Sequence, residues 1–417
     1  MTRMRQIIGA GLAALASLVL FTGSASAHDL AGAGQPVCLE GNFMVADATG
    51  PGRVVEMNIM TGEIGIIVDP PFVPWKPTGV LSGGVNGHAF ISSAAQHRIS
   101  EFHRDGTLIR TITPITAPPQ GPPFGQMPRL LGSQFMPNGN IIQAVCDAVF
   151  GDTSVWPPVS STYERAQNSR LLVFDQGTLG EVDEYNAPDD PRWTCMAGII
   201  FSEEGMYVSM FHGAAVFVID WKAGVDKNSA GFGSNNTDFD LVLGDSSNQA
   251  QVIRVIDMYP GAAMDDPRRR DSLRAITLDA DGNLYATNRA RAVEGAVGIP
   301  NMRQHIAVVP WGEEGPAGTI AMDHGVQIIA GIRTNRISGP GCDAVRVADP
   351  GNACDYETLY VASTGTGTVL EYLIGEENWD GPTCRDDNTG CAQPIAEFFS
   401  GELDPRMLMT IHEAFVQ

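Results

Sequence analysis

Short apolar runs alternate with polar, glycine-containing turns along most of the chain. In the recurring unit, a turn leads into one short strand and a second polar turn leads into another. The first strand of this pair recurs at residues 41–47, 87–93, 139–143, 205–209, 282–288 and 358–363. The strand that follows recurs at residues 53–57, 98–102, 170–175, 215–220, 305–309 and 368–372. The helical period of 3.6 residues is nearly absent after residue 27, so the pattern predicts an all-β chain.

Each copy of this pair is flanked by further apolar strands, such as residues 198–201 before the fourth copy and 108–112 after the second. Four short strands per unit are typical of one propeller blade. We therefore predict an all-β, six-bladed β-propeller in one domain, residues 28–417. A seven-bladed ring is the alternative, because this stretch is long for six blades of about 40–50 residues. Three insertions would explain the excess, at residues 147–169, 224–251 and 289–304.

The first unit lacks an innermost strand, because only the short stretch of residues 34–40 comes directly before its second strand. Near the C-terminus, residues 407–411 read Met-Leu-Met-Thr-Ile and have the length and apolarity of such a strand. An open ring would leave two unpaired strand edges, which propellers avoid. We therefore predict that residues 407–411 pair with residues 43–47 and close the ring.

The N-terminus has the order of a secretory signal peptide. Arg3 and Arg5 precede an apolar run at residues 7–21, and small residues follow at 24–27. The run is short for a bilayer span of about 20 residues. We expect residues 1–27 to be removed and the protein to be exported to the periplasm or the extracellular medium, with no membrane span. The formal net charge of −22 argues against nucleic acid as a partner.

Export favours disulfides among the seven cysteines. Cys146 ends a second strand and Cys195 begins the innermost strand of the next blade, so both lie on one face of the ring. The three predicted disulfides are Cys146–Cys195, Cys384–Cys391 and Cys38–Cys354, with Cys342–Cys354 as the rival to the third. An odd count leaves one cysteine unpaired within the chain, or paired to another molecule.

Second strands end, and innermost strands begin, at one face of the ring, which we call the top. Polar residues that the pattern places at the top, around the central channel, are candidates for ligand binding. They are Asp47, Ser93, His212, Arg274, Asn288, Arg289 and Asp343. Asp47, His212 and Asn288 are residue types that ligate a divalent metal such as calcium, and Arg274 could hold an anion. Alternatively, these groups line the channel and bond only to water and backbone.

The segment Asp-Ala-Asp-Gly-Asn-Leu-Tyr at residues 279–285 resembles the signature of NHL-repeat propellers. It equally resembles the propellers of the gluconolactonase and regucalcin group (SMP-30). The latter resemblance implies a metal held by Glu, Asn and Asp at the channel mouth, for which only Asp47 and Asn288 are suitably placed here. Asp279, Asp281 and Asn283 also resemble part of a calcium loop. The simpler interpretation of these three residues is a β-turn.

Two function classes follow from these patterns. The first is an exported propeller that binds a small molecule or a protein partner through its top face, as a binding or scaffold module. The alternative is a metal-dependent hydrolase or lyase of lactonase type, with its metal in the central channel. No Gly-x-Ser-x-Gly nucleophile motif and no Gly-x-x-x-x-Gly-Lys phosphate loop is present after residue 27.

Overall fold

The structure is a computed structural model. It describes residues 26–27, 42–48, 52–58, 64–68, 77–83, 87–93, 96–113, 129–146, 169–185, 188, 190–211, 213–220, 250–264, 266, 269, 273–288, 305–320, 329–339, 354–364, 366–381, 383–384, 389–398 and 405–410.

Almost all regular structure in these residues is β-strand; one 3-10 turn occurs at Glu376–Asn378. The strands are β1 (Ser26–Ala27), β2 (Phe43–Asp47), β3 (Arg53–Met57), β4 (Ile64–Val68), β5 (Pro77–Gly83), β6 (His88–Ser93), β7 (Arg98–Phe102), β8 (Leu108–Ile112), β9 (Arg129–Phe135), β10 (Ile141–Cys146), β11 (Arg170–Phe174), β12 (Glu181–Tyr185), β13 (Met196–Phe201), β14 (Met206–Met210), β15 (Ala215–Asp220), β16 (Gln251–Asp257), β17 (Ile276–Leu278), β18 (Leu284–Asn288), β19 (His305–Val309), β20 (Gly318–Ile320), β21 (Ile329–Gly339), β22 (Cys354–Ser363), β23 (Thr368–Leu373), β24 (Ala396–Phe398) and β25 (Pro405–Thr410).

These strands form six small sheets, which are the blades of a six-bladed β-propeller. From the inside outward, blade one contains β25, β2, β3 and β4, and β1 lies outside β4. Blades two to six contain β5–β8, β9–β12, β13–β16, β17–β20 and β21–β24. Pairing is antiparallel throughout, except that β1 runs parallel to β4. The six-bladed prediction is confirmed, and the three predicted insertions fall almost wholly outside the described residues.

The ring closes as predicted. The innermost strands contact one another in the cyclic order β25, β5, β9, β13, β17 and β21, and β21 again contacts β25. Within blade one, β25 pairs antiparallel with β2, with Val45 opposite Leu408. Of the predicted signal peptide, residues 1–25 lie outside the described residues, so its removal stays a prediction.

The apolar core lies between neighbouring blades. Separate clusters of buried side chains join blade three to four, four to five, five to six and six to one, and a further cluster joins blades one, two and three. Blade strands are therefore buried on both faces, which explains why a strand such as β15 is a continuous apolar run rather than an alternating one. Trp193 packs edge-on against Phe217 at 5.0 Å between ring centroids.

Close approach of the inner strands depends on glycine. A Cβ atom added to Gly132 in β9 would lie 1.8 Å from the carbonyl oxygen of Ala197 in β13. Gly79 in β5 and Gly198 in β13 occupy the same place in their blades, and each also meets backbone of the next inner strand. Side chains at these positions would push neighbouring blades apart, so glycine at this place in the inner strand keeps the blades close together at the hub.

Outer strands are more exposed than inner ones. β8 and β12 carry exposed side chains along much of their length, including Leu108 and Val182. Within the described part of the chain, no helix is long and apolar enough to cross a membrane.

Candidate functional site

Each second strand ends at the top of its blade, beside the start of the innermost strand. Across this pair of strands Asp47 lies opposite Pro405, Ser93 opposite Pro77, and Ser363 opposite Ile329. In blades one, two, three, four and six, the register between the innermost and second strands shifts at or next to these pairs. Such bulges bend a strand and redirect its side chains, and they are common next to functional sites.

Six structurally equivalent residues therefore surround the top of the channel. In blades one to six they are Asp47, Ser93, Val145, Met210, Asn288 and Ser363. Blades five, six, one and two are consecutive around the ring, and all four have a polar residue at this position. We call Asn288, Ser363, Asp47 and Ser93 the polar sector. All four are at most 1% exposed, whereas blades three and four place apolar residues at the same position.

Asp47 is held by an arginine of its own blade. Arg53, opposite Asp47 on the third strand, donates from Nε to Oδ2 at 2.7 Å. The carboxylate is fully buried and the Arg53 side chain is partly exposed. A buried charge with a close partner of opposite sign is held in one place, because breaking the pair would leave an uncompensated charge.

Asn288 is tied to a loop that follows blade four. Its side-chain amide donates to the hydroxyl oxygen of Tyr259. Tyr259 in turn donates its backbone N–H to Asp257 Oδ1 at 2.9 Å. Arg269 grips this loop with two bonds to the Asp257 carboxylate, of 2.8 and 2.9 Å, and a third to the Tyr259 carbonyl oxygen at 2.7 Å. This buried arginine fixes the loop that positions Tyr259 against Asn288.

A second ion pair lies beside the Asp257 carboxylate. Arg192 Nη2 lies 2.8 Å from Asp190 Oδ2, and Arg192 Nη1 lies 3.7 Å from Asp257 Oδ2. Burial raises the pKa of Asp190, but hydrogen bonds from Arg192 and the charge of its guanidinium outweigh burial and lower the pKa. Ion pairs between arginine and aspartate side chains thus link the loops at the top of blades three to five.

The serines of the polar sector are hydrogen-bonded locally. Ser363 Oγ accepts from the Thr366 hydroxyl at 2.6 Å, and Thr366 and Thr368 hydroxyls lie 2.7 Å apart. Ser93 Oγ accepts from the backbone N–H of Gln96 at 3.3 Å. This cluster of hydroxyls can both donate to and accept from a polar ligand.

Among the predicted site residues, the structure places Asp47, Ser93 and Asn288 at equivalent positions. Arg274 lies just before the innermost strand of blade five, where its backbone N–H donates to Thr287 Oγ1 at 2.9 Å. His212, Arg289 and Asp343 lie outside the described residues. The sequence analysis missed Ser363, although aligning the six copies on their strand ends would have found it.

The predicted metal site stays a prediction. Asp47 Oδ2 already faces the Arg53 guanidinium, which opposes a cation at that oxygen. Across the described residues, the one group of three His, Cys, Asp or Glu side chains with clustered ligand atoms is Asp380, Cys384 and Cys391. These two cysteines form a disulfide, so they offer no thiolates to a metal.

The loop at residues 279–283 is a turn. Asp279 Oδ1 accepts from the backbone N–H groups of Asp281 and Asn283, at 3.0 and 2.8 Å. Asp279 Oδ2 accepts from the Asn283 amide at 2.9 Å and the Tyr285 hydroxyl at 3.1 Å. Four donors occupy this carboxylate, which favours the turn over a calcium loop.

Two of the three predicted disulfides are confirmed, Cys146–Cys195 and Cys384–Cys391. The first joins the top of blade three to that of blade four. Cys38 and Cys342 lie outside the described residues, so Cys38–Cys354 and its rival stay predictions. Disulfides are typical of proteins outside the cytoplasm.

No family model matches the chain, and no curated protein matches it. Solved structures do match, at low identity. A protein of unknown function from Bacteroides caccae is 11% identical, with a TM-score of 0.48 over 90% of this chain and 100% of that one. A proposed 6-phosphogluconolactonase from Bacteroides fragilis is 15% identical, with a TM-score of 0.45 over 89% of this chain and 98% of that one.

Virginiamycin B lyase from Staphylococcus aureus is 12% identical, with a TM-score of 0.39 over 80% of this chain and 77% of that one. These similarities are too low to assign an activity to this chain. The resemblance to NHL-repeat or SMP-30 propellers is likewise not confirmed as membership of either group.

Proposed function

We propose that this protein binds a small polar molecule at the top of the propeller, where the polar sector surrounds the channel mouth. The observation that carries the proposal is the run of buried polar residues, Asn288, Ser363, Asp47 and Ser93, in four consecutive blades. Blades three and four fill the same position with Val145 and Met210, so the fold itself does not need polar groups there.

All four residues have hydrogen-bond partners within the protein. Removing a polar side chain from water still has a desolvation cost, which an apolar side chain at the same position avoids. Polar groups at this position are therefore best explained by a function that apolar side chains cannot perform, such as hydrogen bonding to a ligand. Because the four side chains are at most 1% exposed, a flat protein surface could not reach them, and we propose that binding of a small molecule uncovers them.

The chemistry of the four residues limits the ligand class. Asp47 accepts hydrogen bonds, the serines accept and donate, and Asn288 does both. A polyhydroxylated molecule such as a sugar supplies matching groups on several sides. The arginine-fixed loop at Asp257 and Tyr259 would keep Asn288 in position for it.

The test uses isothermal titration calorimetry with three related probes: glucose, glucuronamide and glucuronate. We expect at least one to bind the wild-type protein, and Ser363→Ala to weaken that binding by about fivefold, the effect of one hydrogen bond. The matched control is Val145→Ala, at the equivalent position in blade three, which should leave the affinity unchanged. Absence of binding by all three probes, or equal losses in both variants, would contradict the proposal.

The metal-dependent hydrolase or lyase stays a second prediction. The Asp47–Arg53 pair gives it less support than sugar binding has, since Arg53 already neutralises the one carboxylate of the polar sector. Incubation with glucuronolactone, with and without calcium, separates the two: calcium-dependent hydrolysis would favour the enzyme.

A further inference from the structure

Among the described residues, one arginine of the hub has no ion-pair partner. Arg333 lies on β21, the innermost strand of blade six, opposite Tyr360 of β22. Throughout the described residues, no carboxylate lies within ion-pair distance of its guanidinium, and no acceptor is hydrogen-bonded to it. The nearest carboxylate in the same cross-strand row, Glu371, lies two strands away and accepts from the Tyr360 hydroxyl at 2.8 Å.

The fold does not require a cation at this position. Equivalent residues of the inner strands, in blades one to six, are Met409, Leu81, Gln134, Ile200, Thr277 and Arg333. Five blades therefore use a neutral side chain. An unpaired charge that is partly removed from water destabilises the folded state, so Arg333 is costly where a leucine or isoleucine fits.

The surroundings of Arg333 are those of a narrow channel. Protein atoms crowd it closely enough for burial to lower its pKa. Part of the side chain is nevertheless open to solvent, as are the equivalent residues Gln134 and Ile200. Both conditions hold at once where a side chain borders a confined, water-filled space, and innermost strands border the central channel.

Arg333 lies beneath the middle of the polar sector. It shares a face of its blade with Tyr360, and the Tyr360 ring packs edge-on against Phe43 of blade one, at 4.7 Å between centroids. It therefore lies on the side of blade six that faces blade one. Tyr360 is three residues below Ser363 on the same strand, which places Arg333 about 10 Å below the polar sector.

We infer that Arg333 binds a carboxylate group of the ligand inside the channel, while the polar sector binds its hydroxyl groups. This inference rests on the proposed function and specifies it as recognition of a hydroxy acid or a sugar acid. A single guanidinium matches one planar carboxylate, with two parallel N–H···O bonds. A separation of about 10 Å suits a small molecule that reaches both groups at once.

The main experiment compares wild type, Arg333→Met and Arg104→Met by calorimetry with glucuronate, glucuronamide and glucose. Methionine keeps the length of the arginine stem without its charge. Arg104 lies in the turn after the third strand of blade two, at the opposite face, so its variant controls for net charge. Glucuronate and glucuronamide differ only in the charged group. We expect Arg333→Met to weaken glucuronate binding at least about tenfold, and to leave glucuronamide and glucose unchanged.

A second measurement needs no assumption about the rest of the ligand. Thermal midpoints are compared in sodium formate and in sodium chloride at equal ionic strength. Formate should raise the midpoint of the wild type and of Arg104→Met, because it binds the folded state. It should not raise that of Arg333→Met. In chloride, Arg333→Met should melt about 1–3 °C above wild type, because an unpaired charge has been removed.

The outcomes separate the two proposals. If Arg333→Met binds glucuronate like wild type, or formate stabilises no more than chloride, the inference is wrong. Weaker binding of all three probes by Ser363→Ala would still support the proposed function in that case. If formate and glucuronate act through Arg333 while Ser363→Ala changes nothing, Arg333 is the carboxylate site, and the proposed function and the hydroxyl-binding part of the inference are wrong.

Discussion

The two disulfides allow a quantitative test of how the ring is held together. Cys146–Cys195 joins residues 49 positions apart and bridges two blades. Cys384–Cys391 joins residues only 7 positions apart, within the loop of blade six. All four cysteines are buried, so replacing either pair with alanine removes similar packing. The difference between the two pairs then reports mainly on loop length.

Loop-closure entropy gives the expected magnitude. A disulfide removes entropy from the unfolded chain by an amount that grows with the logarithm of the closed loop. For the 49-residue separation this is worth about 4 kcal/mol at 25 °C, and for the 7-residue separation about 2.4 kcal/mol. Loss of the Cys146–Cys195 bond should therefore cost about 1.7 kcal/mol more than loss of the Cys384–Cys391 bond.

The assay is equilibrium unfolding in urea, followed by tryptophan fluorescence and far-ultraviolet circular dichroism. C146A/C195A and C384A/C391A are compared with wild type, and the variant lacking both bonds tests additivity. The remaining thiols are alkylated so that no new disulfide forms. Equal losses from the two pairs, or a larger loss from the short loop, would refute the entropic explanation and show that native packing at blade six dominates.

Three further predictions concern the hub, a buried tyrosine and the top loop. Gly132→Ala should lower the free energy of unfolding by about 3 kcal/mol or more, because its Cβ would overlap a carbonyl oxygen of blade four. The control is Gly177→Ala, in an open turn; equal urea midpoints for the two variants would disprove the close approach. Burial raises the pKa of Tyr185 to about 12, so the neutral ring stabilises the fold below about pH 10 and that stability is lost as the pH rises towards 12. Tyr185→Phe should lose less stability than wild type between pH 9 and 11. Equal losses in the two proteins would show that Tyr185 is not the group responsible. Arg269→Lys should cost about 2–4 kcal/mol, since lysine cannot form both bonds to Asp257; unchanged thermal unfolding would mean that the loop is held by other contacts.

Much of the fold could be predicted because each blade repeats one local pattern. Turns and apolar runs fixed where strands such as β6 and β7 begin and end. The edge-strand rule then identified the C-terminal segment as the partner of β2. Assigning strand ends to faces of the ring was enough to pair Cys146 with Cys195. These steps need only local sequence and the closure of the ring.

The candidate site was predictable only in part. Asp47, Ser93 and Asn288 follow directly from their place at strand ends, and Ser363 was open to the same reasoning. Arg269 and Asp257 were not, because they meet through a loop whose path no periodic pattern describes. Arg333 was also missed, since its significance comes from the neutral residues at the same position in other blades and from the absence of an ion-pair partner within the described part of the chain.

The order of residues was enough to predict repeated four-stranded blades, because strand periodicity and turn residues act over a few positions. Which residues share a level around the channel became clear only from the folded ring. A one-residue bulge changes which cross-strand neighbours meet, and a loop can bring distant charges within 3 Å of one another, as with Arg269 and Asp257. Neither effect leaves a regular trace in the order of the residues, so the polar sector and Arg333 emerged only from the assembled ring.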